Sequence, residues 1–97
     1  MGSKSRHRPK NLGRKLLQIR QALGLSQSAM VRHLGVDHSS RARISEYESG
    51  AREPSLWILL AYGRVARVHL EALIDDEVAL PDKLPGNFYF DRYNKKA

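Results

Sequence analysis

From Gly24 to Gly50 the chain reads GLSQSAMVRHLGVDHSSRARISEYESG. Two short segments carry apolar residues at helical spacing, and a polar turn joins them. Glycines close both segments, at Gly35 and Gly50, and Gly24 closes the run before them. The second segment opens on serines and arginines instead of apolar residues. A helix with a polar, basic leading end leaves the core there and is suited to a negatively charged surface.

The rest of the chain reads as helix on the same criterion. Leu12, Leu16, Ile19 and Leu23 share one face of a first helix that Gly24 stops. Ser26 is placed to cap a second, with Met30, Val31 and Leu34 facing inward. Ile44, Tyr47 and Glu48 form the inward stripe of a third. Pro54 precedes a cap at Ser55, and Leu56, Leu59, Leu60 and Gly63 line a fourth. Leu70, Leu73 and Ile74 mark a short fifth that stops near Asp75 and Asp76. Only NFYF, at 87–90, has the look of a strand. The expectation is a single all-α domain over 12–76, with a basic arm over 1–11 and a short extended extension over 77–97.

Composition limits the chemistry. The 97 residues include no cysteine, so disulfides and thiolate metal sites are excluded. No apolar run approaches the roughly 20 residues that span a bilayer, and the start MGSKSRHRPK lacks the apolar centre of an export signal. The expected setting is the cytoplasm, with no membrane partner. Net charge is +7, and its placement is uneven. Lys4, Arg6, Arg8, Lys10, Arg14, Lys15 and Arg20 precede any acidic residue, whereas the remainder is balanced. Such an arm is either a solubilising tail or a polyanion contact, since neutralising phosphates releases counterions.

Catalysis is not expected. A nucleophile would have to be serine, and no histidine–acid pair is spaced for a triad. His33, Asp37 and His38 imitate a metal cluster but read as exposed helix and turn residues. No glycine-rich phosphate loop is present, and neither a cofactor nor a metal is expected.

LGRKLLQIRQALGLSQSAMVRHLGV followed by ISEYESGAREPSLWILLAYGRVA resembles the Cro and phage-repressor type of helix-turn-helix domain, the Xre-like family. The resemblance runs from about Leu12 to Ile74, and its most specific pieces are GLSQ and ISEYESGAREPS. It implies a five-helix fold that binds double-stranded DNA, usually as a homodimer, with the third helix in the major groove. By matching the motif, Arg41, Ala42, Ser45 and Glu46 become base-facing candidates. Arginine can pair with guanine, alanine can touch a thymine methyl, and glutamate can accept from cytosine. Arg41 could instead contact phosphate, and Glu46 could pair with Arg43. Gln27, Ser28, Arg43 and Arg52 are candidate phosphate contacts, joined from the basic N-terminal part by Lys10 and Arg14. Arg20 and Glu48 match an internal ion pair that orients the third helix.

The chain departs from that pattern in three places. DHSSRAR puts seven residues before the Ile-Ser of helix three where most members have four, so Asp37, Ser39 and Ser40 are all candidate caps. An early start would carry His38 and Ser39 to the DNA. Val31 stands where alanine is usual, and Arg67 and His69 replace a usual glycine and serine.

Two features point to a protein partner. Trp57 falls off the inward stripe of helix four, as a lid on the core edge or as a dimer contact. Phe88, Tyr89, Phe90 and Tyr93 gather aromatic surface in the last segment. That segment could fold back, exchange with a second subunit, or receive another protein by strand addition. The leading functional expectation is a dimeric repressor reading a pseudo-palindromic operator. The alternatives are an antitoxin that binds a toxin and represses its own operon, and a nonspecific architectural binder.

Overall fold

The computed structural model describes residues 8–35 and 40–85. It contains α1 (Leu12–Leu23), α2 (Gln27–Leu34), α3 (Arg41–Ser49), α4 (Leu56–Ala66) and α5 (Leu70–Ile74), with no strand among the described residues. The fold is all-α, as the apolar spacing requires. The NFYF segment and the arm before Arg8 lie outside the described residues.

Local chemistry sets the helix ends. Ser26, Ser40 and Ser55 are extended residues whose hydroxyls accept from the backbone N–H three residues on, at Ala29, Arg43 and Ile58. Each satisfies a donor that a helix start leaves without an internal partner. Ser40 is therefore the cap of α3, and the other two candidates lie outside the described residues. Gly24, Gly35 and Gly50 end α1, α2 and α3 in the left-handed conformation. Arg67 does the same for α4 at φ 60°, where a side chain is disfavoured.

Packing follows from these short elements. α1 lies against α3 and α5, α2 against α3 and α4, and α4 against α5. The core takes Leu16 and Ile19 from α1, Met30 from α2, Ile44 from α3, Tyr62 from α4 and Leu73 from α5, all fully buried. The α4 stripe differs from the sequence expectation. Ile58, Leu59, Tyr62 and Ala66 face inward, while Leu56 is 77% exposed. LWILLAY is apolar on every side, so periodicity alone could not fix which face turns in. Of the α5 residues, Leu73 is buried, and Leu70 and Ile74 reach solvent. Leu80 and Leu84 join the core, so the packed body continues beyond Asp76.

Two reciprocal contacts tie α1 to the end of α5. The Lys15 ammonium donates to the carbonyls of Ala72 (2.7 Å), Asp75 (2.9 Å) and Val78 (2.6 Å). In the other direction, the Asp76 carboxylate accepts from the Lys10 and Asn11 backbone N–H groups at 2.8 and 3.0 Å. A cation thus serves the carbonyl-rich end of one helix and an anion the amide-rich start of the other. Asn11 makes no side-chain cap bond of its own. Lys15, counted by sequence among the positive charges of the arm and the helix that follows it, is 5% exposed and belongs to the core.

Gly13 sits where α1 meets the end of α3. A Cβ there would lie 2.8 Å from the carbonyl oxygens of both Tyr47 and Glu48, and neither backbone can yield freely. Gly13→Ala is therefore expected to lower stability by about 1–3 kcal/mol. That loss outweighs the roughly 1 kcal/mol that alanine adds to an ordinary helix site. The thermal midpoint should fall by roughly 4–8 °C per kcal/mol for a domain of this size; a rise would refute the close approach. Lys15→Met keeps the aliphatic stem and removes the donor. It should cost on the order of 2 kcal/mol in urea unfolding, because three carbonyls lose a charged partner.

Candidate nucleic-acid interface

α3 is anchored by two side chains and open elsewhere. Ile44 is fully buried and Tyr47 is 6% exposed. Arg41, Ala42, Arg43 and Ser45 are exposed, and Glu46 is half-buried. The four base-facing candidates therefore share the outer side of a helix whose inner side holds the core. The polar opening of α3 is explained by this division: it has no interior to enter.

A joint of three helices fixes how α3 is presented. The Arg20 guanidinium makes a two-pronged contact with Glu48, Nε to Oε2 at 2.6 Å and Nη2 to Oε1 at 3.1 Å. Its Nη1 donates to the Leu25 carbonyl at 3.0 Å, in the turn between α1 and α2. The Gln27 amide, at the start of α2, donates to Glu48 Oε1 at 3.1 Å. The pair is largely screened from water, with 17% and 7% of the two side chains exposed. The hydrogen bond that Arg20 donates to Glu48 raises the Arg20 pKa above its ordinary value, against an opposing effect of burial. Removing one partner of such a pair leaves an uncompensated charge and typically costs about 3–5 kcal/mol. Gln27, read by sequence as a phosphate contact, has its side-chain amide committed to this joint.

Beneath the joint lies the Tyr62 phenol. It is fully buried, and its hydroxyl has no hydrogen-bond partner among the described residues. Burial pushes its pKa well above the ordinary phenol value, and the neighbouring Glu48 charge adds to the effect.

Several of the cations border two clefts that meet at Arg52. Arg8, Lys10, Arg14 and Arg52 border one, between the start of α1 and the loop after α3. Arg43, Arg52, Arg64 and Trp57 border the other, between α3 and α4. The fold thus brings together the phosphate candidates Lys10, Arg14 and Arg52, which are far apart in sequence, and adds Arg8. Ser28 is exposed just inside α2. Glu46 binds both arginines nearest to it: Arg52 Nε donates to its Oε1 at 2.9 Å, and Arg43 Nε lies 3.6 Å from the same oxygen. The Arg43 pairing was legible in the i,i+3 spacing. The stronger contact with Arg52 was not, because it depends on the loop beyond Gly50 curling back. Phe88, Tyr89, Phe90 and Tyr93 lie outside the described residues.

Short capped helices, a serine-capped second helix and an anchored third helix with a polar outer face define a helix-turn-helix protein. The model of a helix-turn-helix domain family matches residues 11–76, and the chain belongs to that family of DNA-binding domains. No curated protein and no solved structure is significantly similar to the chain. Among the described residues, no helix is long and apolar enough to cross a membrane.

The buried phenol gives a pH test of the structure. With its folded pKa raised, Tyr62 stays protonated above the unfolded value of 10.0, so the native state there holds one more proton. Its contribution is fully present below that pH and is lost above it, by up to about 1.4 kcal/mol per pH unit. Tyr62→Phe should match or exceed the wild type at pH near 7, since the hydroxyl has no partner to lose among the described residues, and should lack this alkaline loss. Urea unfolding of both proteins at pH about 7 and about 11 measures it; a constant difference would contradict the buried phenol.

Proposed function

We propose that the chain is a sequence-specific, double-stranded DNA-binding transcriptional regulator of the phage-repressor type. It acts as a dimeric repressor that inserts α3 into the major groove of a pseudo-palindromic operator. The observation that carries this reading is the division of α3: Ile44 and Tyr47 are held in the core, and Arg41, Ala42 and Ser45 are exposed together. The major groove admits one α-helix and presents a distinct donor and acceptor pattern for each base pair. Arg41, exposed in the first turn, is the residue proposed to pair with a guanine, with Ala42 and Ser45 beside it. Arg8, Lys10, Arg14, Arg43 and Arg52 supply phosphate contacts that set register and salt dependence without reading sequence.

The dimer is supported by Leu56 and Trp57, which are 77% and 74% exposed. Adjacent large apolar side chains so open to water are typical of contact surfaces. Two copies related by a twofold axis would set their α3 helices roughly 34 Å apart, one turn of the duplex. The setting is the cytoplasm of a bacterium, or a phage-infected one.

In vitro selection from random duplexes with the full-length protein tests the reading. The expected outcome is an enriched inverted repeat, with Arg41→Ala losing about 1–3 kcal/mol of discrimination at one position per half-site while remaining folded. Binding at low salt without enrichment of any site would overturn sequence-specific reading and leave a nonspecific binder.

A further inference from the structure

We propose that Glu46 is a specificity gate: it holds Arg43 and Arg52 as an internal stand-in for phosphate and so suppresses binding to nonspecific duplex. The inference rests on the DNA-binding reading above. One carboxylate oxygen serves both guanidinium Nε atoms, at 2.9 Å for Arg52 and 3.6 Å for Arg43. Arg52 is held a second time, because its backbone N–H donates to the Glu46 carbonyl at 3.2 Å. Ser49 Oγ donates to the same carbonyl and accepts from the Ala51 N–H, which curls the loop beyond Gly50 back onto α3. The loop geometry therefore keeps Arg52 beside the carboxylate.

The three side chains are 42–47% exposed. At that exposure an ion pair contributes little to folding stability, so it is open to exchange with an outside anion. A duplex phosphate near Arg43 or Arg52 competes with Glu46 for the same donors. Displaced, the carboxylate would face a phosphate-lined surface with no partner, and repulsion opposes binding. A site that presents a cytosine amino group in the groove gives the carboxylate a new donor and releases both arginines to phosphate. Arbitrary sequence gives none. Charge that would otherwise act on any duplex is thereby made conditional on a base.

The test compares wild type with Glu46→Gln and Glu46→Ala on a random-sequence duplex and on the selected operator, over a range of salt. For the random duplex, both variants should bind roughly tenfold more tightly near 0.1 M salt. Their plots of log affinity against log salt should steepen by about one to two phosphate contacts. The ratio of operator to random affinity should fall. In an Arg43→Ala, Arg52→Ala background the gain should vanish. An unchanged or weaker random-duplex affinity, with the wild type binding normally, overturns the gate alone. So does a gain that persists undiminished without the two arginines. Absence of duplex binding by every form, wild type included, overturns the DNA-binding reading together with it.

Discussion

The position of α3 depends on the contact among Arg20, Glu48 and Gln27. α3 has nine residues, and only Ile44 and Tyr47 bury in the core, so apolar packing leaves its rotation and slide weakly defined. Directional bonds supply what packing lacks. Glu48 receives two bonds from Arg20 and one from Gln27, and Arg20 also reaches Leu25. One carboxylate thereby registers α3 against α1 and the start of α2, while Arg20 ties the same joint to the turn between them. Because the planar guanidinium presents a fixed fork, a small rotation of α3 breaks more than one bond at once. The joint sits next to the buried Tyr62, in a region of low effective dielectric where each bond is strengthened and each loss is felt fully.

Charge in this molecule is divided by job rather than spread as a coat. Lys15 and Arg20 are drawn inside, where they satisfy backbone carbonyls and a carboxylate. Arg8, Lys10 and Arg14 stand around one cleft, and Arg43 and Arg64 around another, with Arg52 shared. A helix-turn-helix face built this way offers two unlike kinds of contact in a few turns of helix. On the function proposed above, the first turns of α3 read bases and the flanking clefts hold the DNA backbone.

Much of this was legible in the residues. The serine caps of α2, α3 and α4 and the glycine stops of α1, α2 and α3 follow from the local needs of helix ends, which act within a few residues and so leave a readable trace. The stripe from Leu12 to Leu23 likewise gave the buried face of α1. Lys15 shows the limit. It lies three residues after Leu12 and four before Ile19, on the buried face, and that register was the available signal. Its charge argued for solvent, and only the arrival of three carbonyls from residues 72–78 makes burial tolerable. Asp76 at the start of α1, Gln27 on Glu48 and Arg52 on Glu46 are hidden for the same reason. Each partner is chosen by how the chain folds back, and spacing carries no information about that. Within α4 the obstacle was different: a surplus of apolar residues gave no contrast between faces.

The Asp76 and Lys15 contacts lie 57–66 residues apart in the chain, and they draw the beginning of α1 and the end of α5 to one place. Residues 76–80 then run along α1, sharing a cleft with Asn11, Arg14, Lys15 and Gln18. The folded body is therefore closed like a ring with a clasp. Fraying normally begins at chain ends, where an element can peel away alone. Here neither end can peel without opening the bonds that secure the other, so the ends unravel together. Lys10, in the basic arm, is likewise held by Asp76, a residue at the opposite end of the domain.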